Sequence, residues 1–124
     1  VEKVQSREQG LQLFDPERQL YYPVFEDGQG THIFNGSDVC MIDDLAEFIE
    51  AGVDALRVDG ILKSREYLLS VTQAYRFAID LFCEDPAKYN QVGRALYKKM
   101  EEIQPVSRLL DRGFFYKPSI YKNK

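Results

Sequence analysis

The chain has no tryptophan, one histidine, two cysteines and two methionines among its 124 residues. Each scarcity closes a class of function. A single histidine, His32, rules out any site built on two histidines, the His-Glu-x-x-His zinc centre included. Cys40 and Cys83 are too few for a disulfide scaffold, so the expectation is a reducing, cytoplasmic setting with both thiols free. No apolar run approaches the ~20 residues that a membrane span requires, and no membrane partner is expected. The opening VEKVQSREQG is polar and carries acids, so it does not read as a secretory signal or transit peptide. It also does not begin with Met, and the expectation is a processed or trimmed chain. Positive charge is short as well: 16 Lys and Arg face 20 Asp and Glu, a net charge of -4. That balance excludes a surface that is basic all over and grips nucleic acid by charge alone. The C-terminal end departs from it, with five Lys or Arg and one acid, Asp111, between Arg108 and Lys124. Such an end is a solvated tail or a docking arm.

What is present is an ordinary apolar fraction of 44% with eight Tyr and eight Phe. Length and composition fit one compact unit over 1–124. Residues 1–18 show no sustained period and close on Asp15-Pro16, a turn signal. Leu20 to Phe25 reads as a strand, with Pro23 confining it to an edge or a strand start. A glycine-bearing turn, Glu26 to Gly30, leads to a return strand from Thr31 to Phe34, and Asn35-Gly36-Ser37-Asp38 reads as a second turn. Helical period runs from near Met41 to Ala51, with Asp43 or Asp44 as cap and Gly52 as the left-handed stop. Ala55 to Val58 reads as a short, buried, central strand. Two long helices follow. Arg65–Phe82, capped by Ser64, carries Leu68, Val71, Tyr75, Ala78, Ile79 and Phe82 at three- and four-residue spacing. Pro86–Ile103 starts with Pro in the first turn and ends before Pro105.

Cys40 falls at or one turn before a helix start, where the positive end of the dipole favours a thiolate that can act as nucleophile or metal ligand. The competing reading is a small buried hydrophobe, and Cys83, on the apolar side of a long helix, is read that way. Asp59 ends the VDALRV run, and Gly60 lets a backbone approach closely, so the carboxylate can serve as base, as substrate anchor or as a plain turn cap. Arg57, two residues earlier, lies on the same side of an extended chain and can pair with it. Lys63 can contact a phosphate or carboxylate. His32 with Cys40 would make a Cys–His nucleophilic pair, although their spacing does not require it. There is no Gly-x-Ser-x-Gly elbow. The aromatics Phe114, Phe115, Tyr116 and Tyr121, interleaved with Lys117, Lys122 and Lys124, either stack bases or pack back onto the body.

The run from Tyr22 to Ser64 resembles one family closely, the collagenase-like peptidases, whose bacterial members include proteins that hydroxylate the wobble uridine of tRNA. The resemblance rests on Glu26-Asp27, Gly30-Thr31, Ile33, Asn35, Ser37, Asp38-Val39-Cys40, Ile42, Ile49 to Asp54, Leu56, Gly60 and Lys63-Ser64. It extends through AYRFAIDLF to the ending GFFYKPSIY. It implies an α/β fold, the C-terminal portion of a TIM-like barrel with a β-hairpin and two long helices. It implies prephenate-dependent tRNA wobble-uridine hydroxylation, with tRNA and a missing N-terminal half of the same protein as partners. Hydrolysis of peptides and a non-catalytic RNA-docking or scaffold role are the alternatives. The residues expected to carry the chemistry are Asp59 and Lys63 as catalytic groups and Asn35, Arg57 and Ser64 as substrate-binding groups. Cys40 is implied as a ligand of an iron–sulfur cluster in the full-length parent, with no cluster expected on this chain alone. The sequence departs from the family pattern at Asp59-Gly60-Ile61, where Glu-Gly-Arg is usual.

Overall fold

The structure is a computed structural model that describes residues 2–6, 10–60, 63–106, 108–113 and 115–116, with only the backbone described for 2–6. Ile61, Phe114 and the tail from Lys117, with Tyr121, Lys122 and Lys124, lie outside the described residues. Contacts divide the chain into two compact units, residues 40–104 and the flanking 1–39 with 105–124.

The flanking unit is built on a four-stranded antiparallel sheet in the order β1 (Glu2–Ser6), β2 (Gly10–Asp15), β3 (Leu20–Asp27), β4 (Gly30–Ile33). The first two strands answer to no long period in the sequence. Gly10–Asp15 alternates Leu11 and Leu13 with Gln12, too short a run to stand out. The hairpin of β3 and β4 forms where the turn residues place it, with the Asp27 carboxylate accepting the Gln29 amide at 2.8 Å. Register sets two unlike faces. Phe14 lies opposite Tyr21 and Phe25 opposite His32, giving one face rich in rings, while Leu13 opposite Tyr22 and Val24 opposite Ile33 give the other. Pro23 is not on an edge: β3 lies between β2 and β4. The strand tolerates it because the Pro23 carbonyl accepts from the Phe34 amide at 2.9 Å, just past the end of β4. The missing N–H faces the same side, where the ladder stops anyway.

Ser37–Val39 is not a turn but β5, paired in parallel with β6 (Leu109–Asp111). The turn before it remains, since Asn35 Oδ1 accepts the Ser37 amide at 3.3 Å. A local signal in the sequence was overridden by a strand partner 72 positions away. Gly36 belongs there for a steric reason: a Cβ would stand 2.2 Å from the Tyr21 carbonyl oxygen.

The central unit holds α1 (Leu45–Glu50), α2 (Arg65–Glu84) and α3 (Pro86–Ile103). Helix α1 is shorter than the period indicated, because Met41 to Asp44 form turns. It ends as expected at Gly52, φ +81°, with Gly52 N–H donating to Ile49 O and Val53 N–H to Phe48 O, both at 3.0 Å. That pair of bonds is the Schellman closure. The long helices match the sequence reading within two residues. Ser64 Oγ caps α2 by accepting the Tyr67 amide at 3.1 Å. Asp85 stops α2, its amide donating to Leu81 O, and starts α3, its carboxylate accepting the Lys88 amide at 3.0 Å. A one-residue link folds the helices antiparallel, with Phe82 edge-on to Tyr89 near the link and Tyr67 donating to Gln104 at the far end. The core between them is Val71, Ala78, Leu81, Phe82, Leu96 and Met100, closed by Ile42, Leu45 and Tyr89. Each large buried side chain contributes roughly 1.5–3 kcal/mol of burial.

Ala55 to Val58 forms no strand. The segment from Val53 to Gly60 has no regular structure, and Leu56 and Val58 are about two-fifths exposed. Its β-prone composition calls for a neighbouring strand to take its backbone groups. Among the described residues, neither sheet includes it.

Candidate functional site

The Cys40–Leu45 turn lies largely buried in the central unit. Two tyrosines, one from each long helix, reach it. The Tyr75 hydroxyl accepts the Met41 amide at 2.9 Å and directs its proton toward Cys40 Sγ at 3.8 Å. The Tyr89 hydroxyl accepts the Leu45 amide at 2.9 Å and donates to Ile42 O at 2.7 Å. Burial pushes the Tyr89 phenol up to about 12, and burial together with the Cys40 sulfur raises that of Tyr75 further. Both phenols therefore stay protonated as donors. Gly93 completes the seat, since a Cβ there would touch Asp43 Cβ at 3.4 Å.

Of the two thiols, Cys83 departs from the buried position read for it from the sequence. Cys40 is 4% exposed, whereas Cys83 is exposed on α2. Leu81 and Phe82 take the buried positions on that turn, and one residue further rotates the side chain about 100° away from them. Cys40 is also separated from α1 by the Met41–Asp44 turn, so the short helix does not bear on its sulfur.

An iron–sulfur cluster requires about four thiolates. This chain offers two, one buried under Tyr75 and one exposed, and among the described residues no group of three His, Cys, Asp or Glu is arranged to hold a metal. The residues present do not by themselves fit such a cluster.

The acid–base residues stand on the irregular segment and the start of α2. Arg57 and Asp59 do pair, at 3.6 Å, though both side chains are mostly in solvent. An exposed pair of this kind contributes little stability. Lys63 donates its amide to Gly60 O at 3.1 Å and holds its ammonium 5.0 Å from the Tyr67 ring centroid. Ser64 is occupied as the α2 cap. Below this segment runs a groove of about 320 Å³ lined by Phe48, Ile49, Val53, Leu56, Arg76 and Ile79. Arg76 there is bonded to Asp80.

Asn35 belongs to the flanking unit, beside a network that the sequence did not reveal. Arg108 grips the Asp38 carboxylate, Nη2 at 2.7 Å and Nε at 3.1 Å, and also donates to Ser37 O at 3.1 Å. The buried Ser37 hydroxyl gives its one proton to Asp111 Oδ2 at 2.6 Å. His32 lies in the hairpin with Nε2 3.2 Å from Asp27 Oδ1. The Gln29 amide, with His32, holds the Asp27 carboxyl below its ordinary value. Phe115 and Tyr116 pack edge to face, about half exposed. Of the residues missed, Tyr75 and Tyr89 carried a usable signal: a tyrosine on a buried helical stripe requires a partner for its hydroxyl.

The model of Peptidase family U32 matches residues 4–123. The chain belongs to peptidase family U32. Its relatives include tRNA hydroxylation protein P2 of Bacillus subtilis, 47% identical over 94% of this chain and 38% of that protein. The tRNA hydroxylation protein P of Escherichia coli is 38% identical over 48% of the chain and 13% of that protein. An uncharacterized protease of Methanocaldococcus jannaschii is 30% identical over 77% of the chain and 22% of that protein. The chain thus spans well under half the length of these relatives. No solved structure matches it. Among the described residues no helix is long and apolar enough to cross a membrane.

Proposed function

We propose that this U32 chain works as part of a protein that hydroxylates tRNA at the wobble uridine, with prephenate supplying the oxygen. The observation that carries the reading is the 47% identity to tRNA hydroxylation protein P2 over 94% of the chain. In this reading the chain is the C-terminal portion of a TIM-like barrel, acts in the cytoplasm and is inactive without the rest of the protein. Asp59 and Lys63 serve the reaction, Asn35, Arg57 and Ser64 contact the substrate, and Cys40 gives one thiolate to a cluster completed by segments outside this chain. Barrel enzymes place such groups beyond their strand ends.

The M. jannaschii relative's name favours a second reading, peptide hydrolysis. The chemistry on this chain gives it little support. Among the described residues, the side chain of His32 hydrogen-bonds to Asp27 and to no serine or cysteine, whereas a hydrolytic nucleophile needs a base within reach.

The test is nucleoside mass spectrometry of tRNA from cells lacking the full-length protein. Hydroxylated wobble uridine should disappear and return on complementation. Its persistence in the deletion strain, with peptide hydrolysis by the purified protein, would replace the first reading by the second.

A further inference from the structure

The exposed side of α3 carries a charge pattern that its packing does not use. Helix α3 holds four cations, Lys88, Arg94, Lys98 and Lys99, against two acids, Glu101 and Glu102, both in its last turn, in a chain whose net charge is -4. All four are exposed, while Tyr89, Gly93, Leu96 and Met100 face the core. Among the described residues, none of the four has a carboxylate within ion-pair distance, in contrast to Arg18, Arg57, Arg76 and Arg108. Arg94 and Lys98 are four apart and share a side, and Lys88 and Lys99 are three turns apart and share the adjacent one. The row runs about 16 Å along the helix at 1.5 Å per residue. A nucleic-acid duplex presents on the order of ten phosphates over that length.

We propose that this face of α3 is a docking surface for the phosphate backbone of RNA. The proposal rests on the tRNA reading above and adds the surface by which the substrate is held. A basic amphipathic helix can also lie on an anionic membrane, but it does so by burying its apolar side. Here that side is already packed against α2. Charge complementarity therefore favours a polyanion that meets only the polar side. The contacts position the RNA and carry no sequence information.

The experiment measures binding of an unmodified tRNA transcript to the full-length protein across a salt series. The variant replaces Lys88, Arg94, Lys98 and Lys99 with Gln, which keeps helix propensity, and circular dichroism checks that it is folded. Binding at moderate salt should weaken at least tenfold, and the slope of log K against log salt should flatten by about two to four. Unchanged affinity and slope in a folded variant would overturn the proposal. So would loss of binding to phosphatidylserine vesicles with tRNA binding intact. Hydroxyuridine in cells separates the two claims. If deletion of the protein abolishes it and the Gln variant preserves both it and tRNA binding, the docking surface fails while the functional reading stands. If deletion leaves it in place, the functional reading fails.

Discussion

The Tyr89 hydroxyl on α3 accepts the amide proton of Leu45, the first residue of α1, at 2.9 Å. The same hydroxyl donates to Ile42 O, so a single oxygen joins the helix pair to both ends of a buried turn. Tyr89→Phe should keep the ring in place and leave that amide and that carbonyl unmatched in the interior. The expected loss is about 2–3 kcal/mol. Urea denaturation with the slope held constant measures it, and a change below half a kcal/mol would show that water substitutes for the hydroxyl.

Thiol chemistry should separate the two cysteines, with Cys83 reacting ahead of Cys40. With Cys40 4% exposed and Cys83 exposed, a native-state alkylating reagent should label Cys83 first. Cys40 should react only as the turn opens, and faster in Tyr75→Phe, which lacks the oxygen that holds the Met41 amide. Peptide mass spectrometry of partially labelled protein reads both rates. Equal rates would mean that the turn is open in solution.

These outcomes mark how far the residues could be read in advance. The long helices were legible because their caps and stripes are local: Ser64, Asp85 and Pro86 sit within a turn of what they control. The hairpin was legible for the same reason. Strand β5 was not, because Ser37 and Asp38 owe their conformation to Leu109 and Leu110. The segment Ala55–Val58 failed in the converse way, having strand composition without a strand beside it among the described residues. The seat of Cys40 was not legible, because the hydroxyl that reaches its sulfur belongs to Tyr75, 35 positions later.

Glycine substitutions should divide by what the new methyl meets. At Gly36 a Cβ would lie 2.2 Å from the Tyr21 carbonyl oxygen, a backbone atom fixed in the sheet. At Gly60 the nearest atom is Leu68 Cδ2, the end of a side chain that can change rotamer. Gly36→Ala should cost about 1–3 kcal/mol or more through overpacking, and Gly60→Ala much less. Thermal unfolding of the pair checks the order, and equal shifts would place the strain elsewhere.

Alkaline pH should unfold the chain through its buried phenols. Tyr89 ionises near 10 when unfolded and is pushed up to about 12 in the fold, chiefly by burial, with Tyr75 shifted the same way. Above pH 10 the unfolded chain therefore releases protons that the folded chain retains, and stability must fall as pH rises. The contribution is intact below pH 10 and is lost progressively toward pH 12. Phenolate absorbance should show a late phase from the two buried phenols, coincident with loss of helical circular dichroism. Tyr75→Phe together with Tyr89→Phe should remove the late phase and flatten the decline in stability above pH 10. A late phase that survives both substitutions would assign the alkaline transition to other groups.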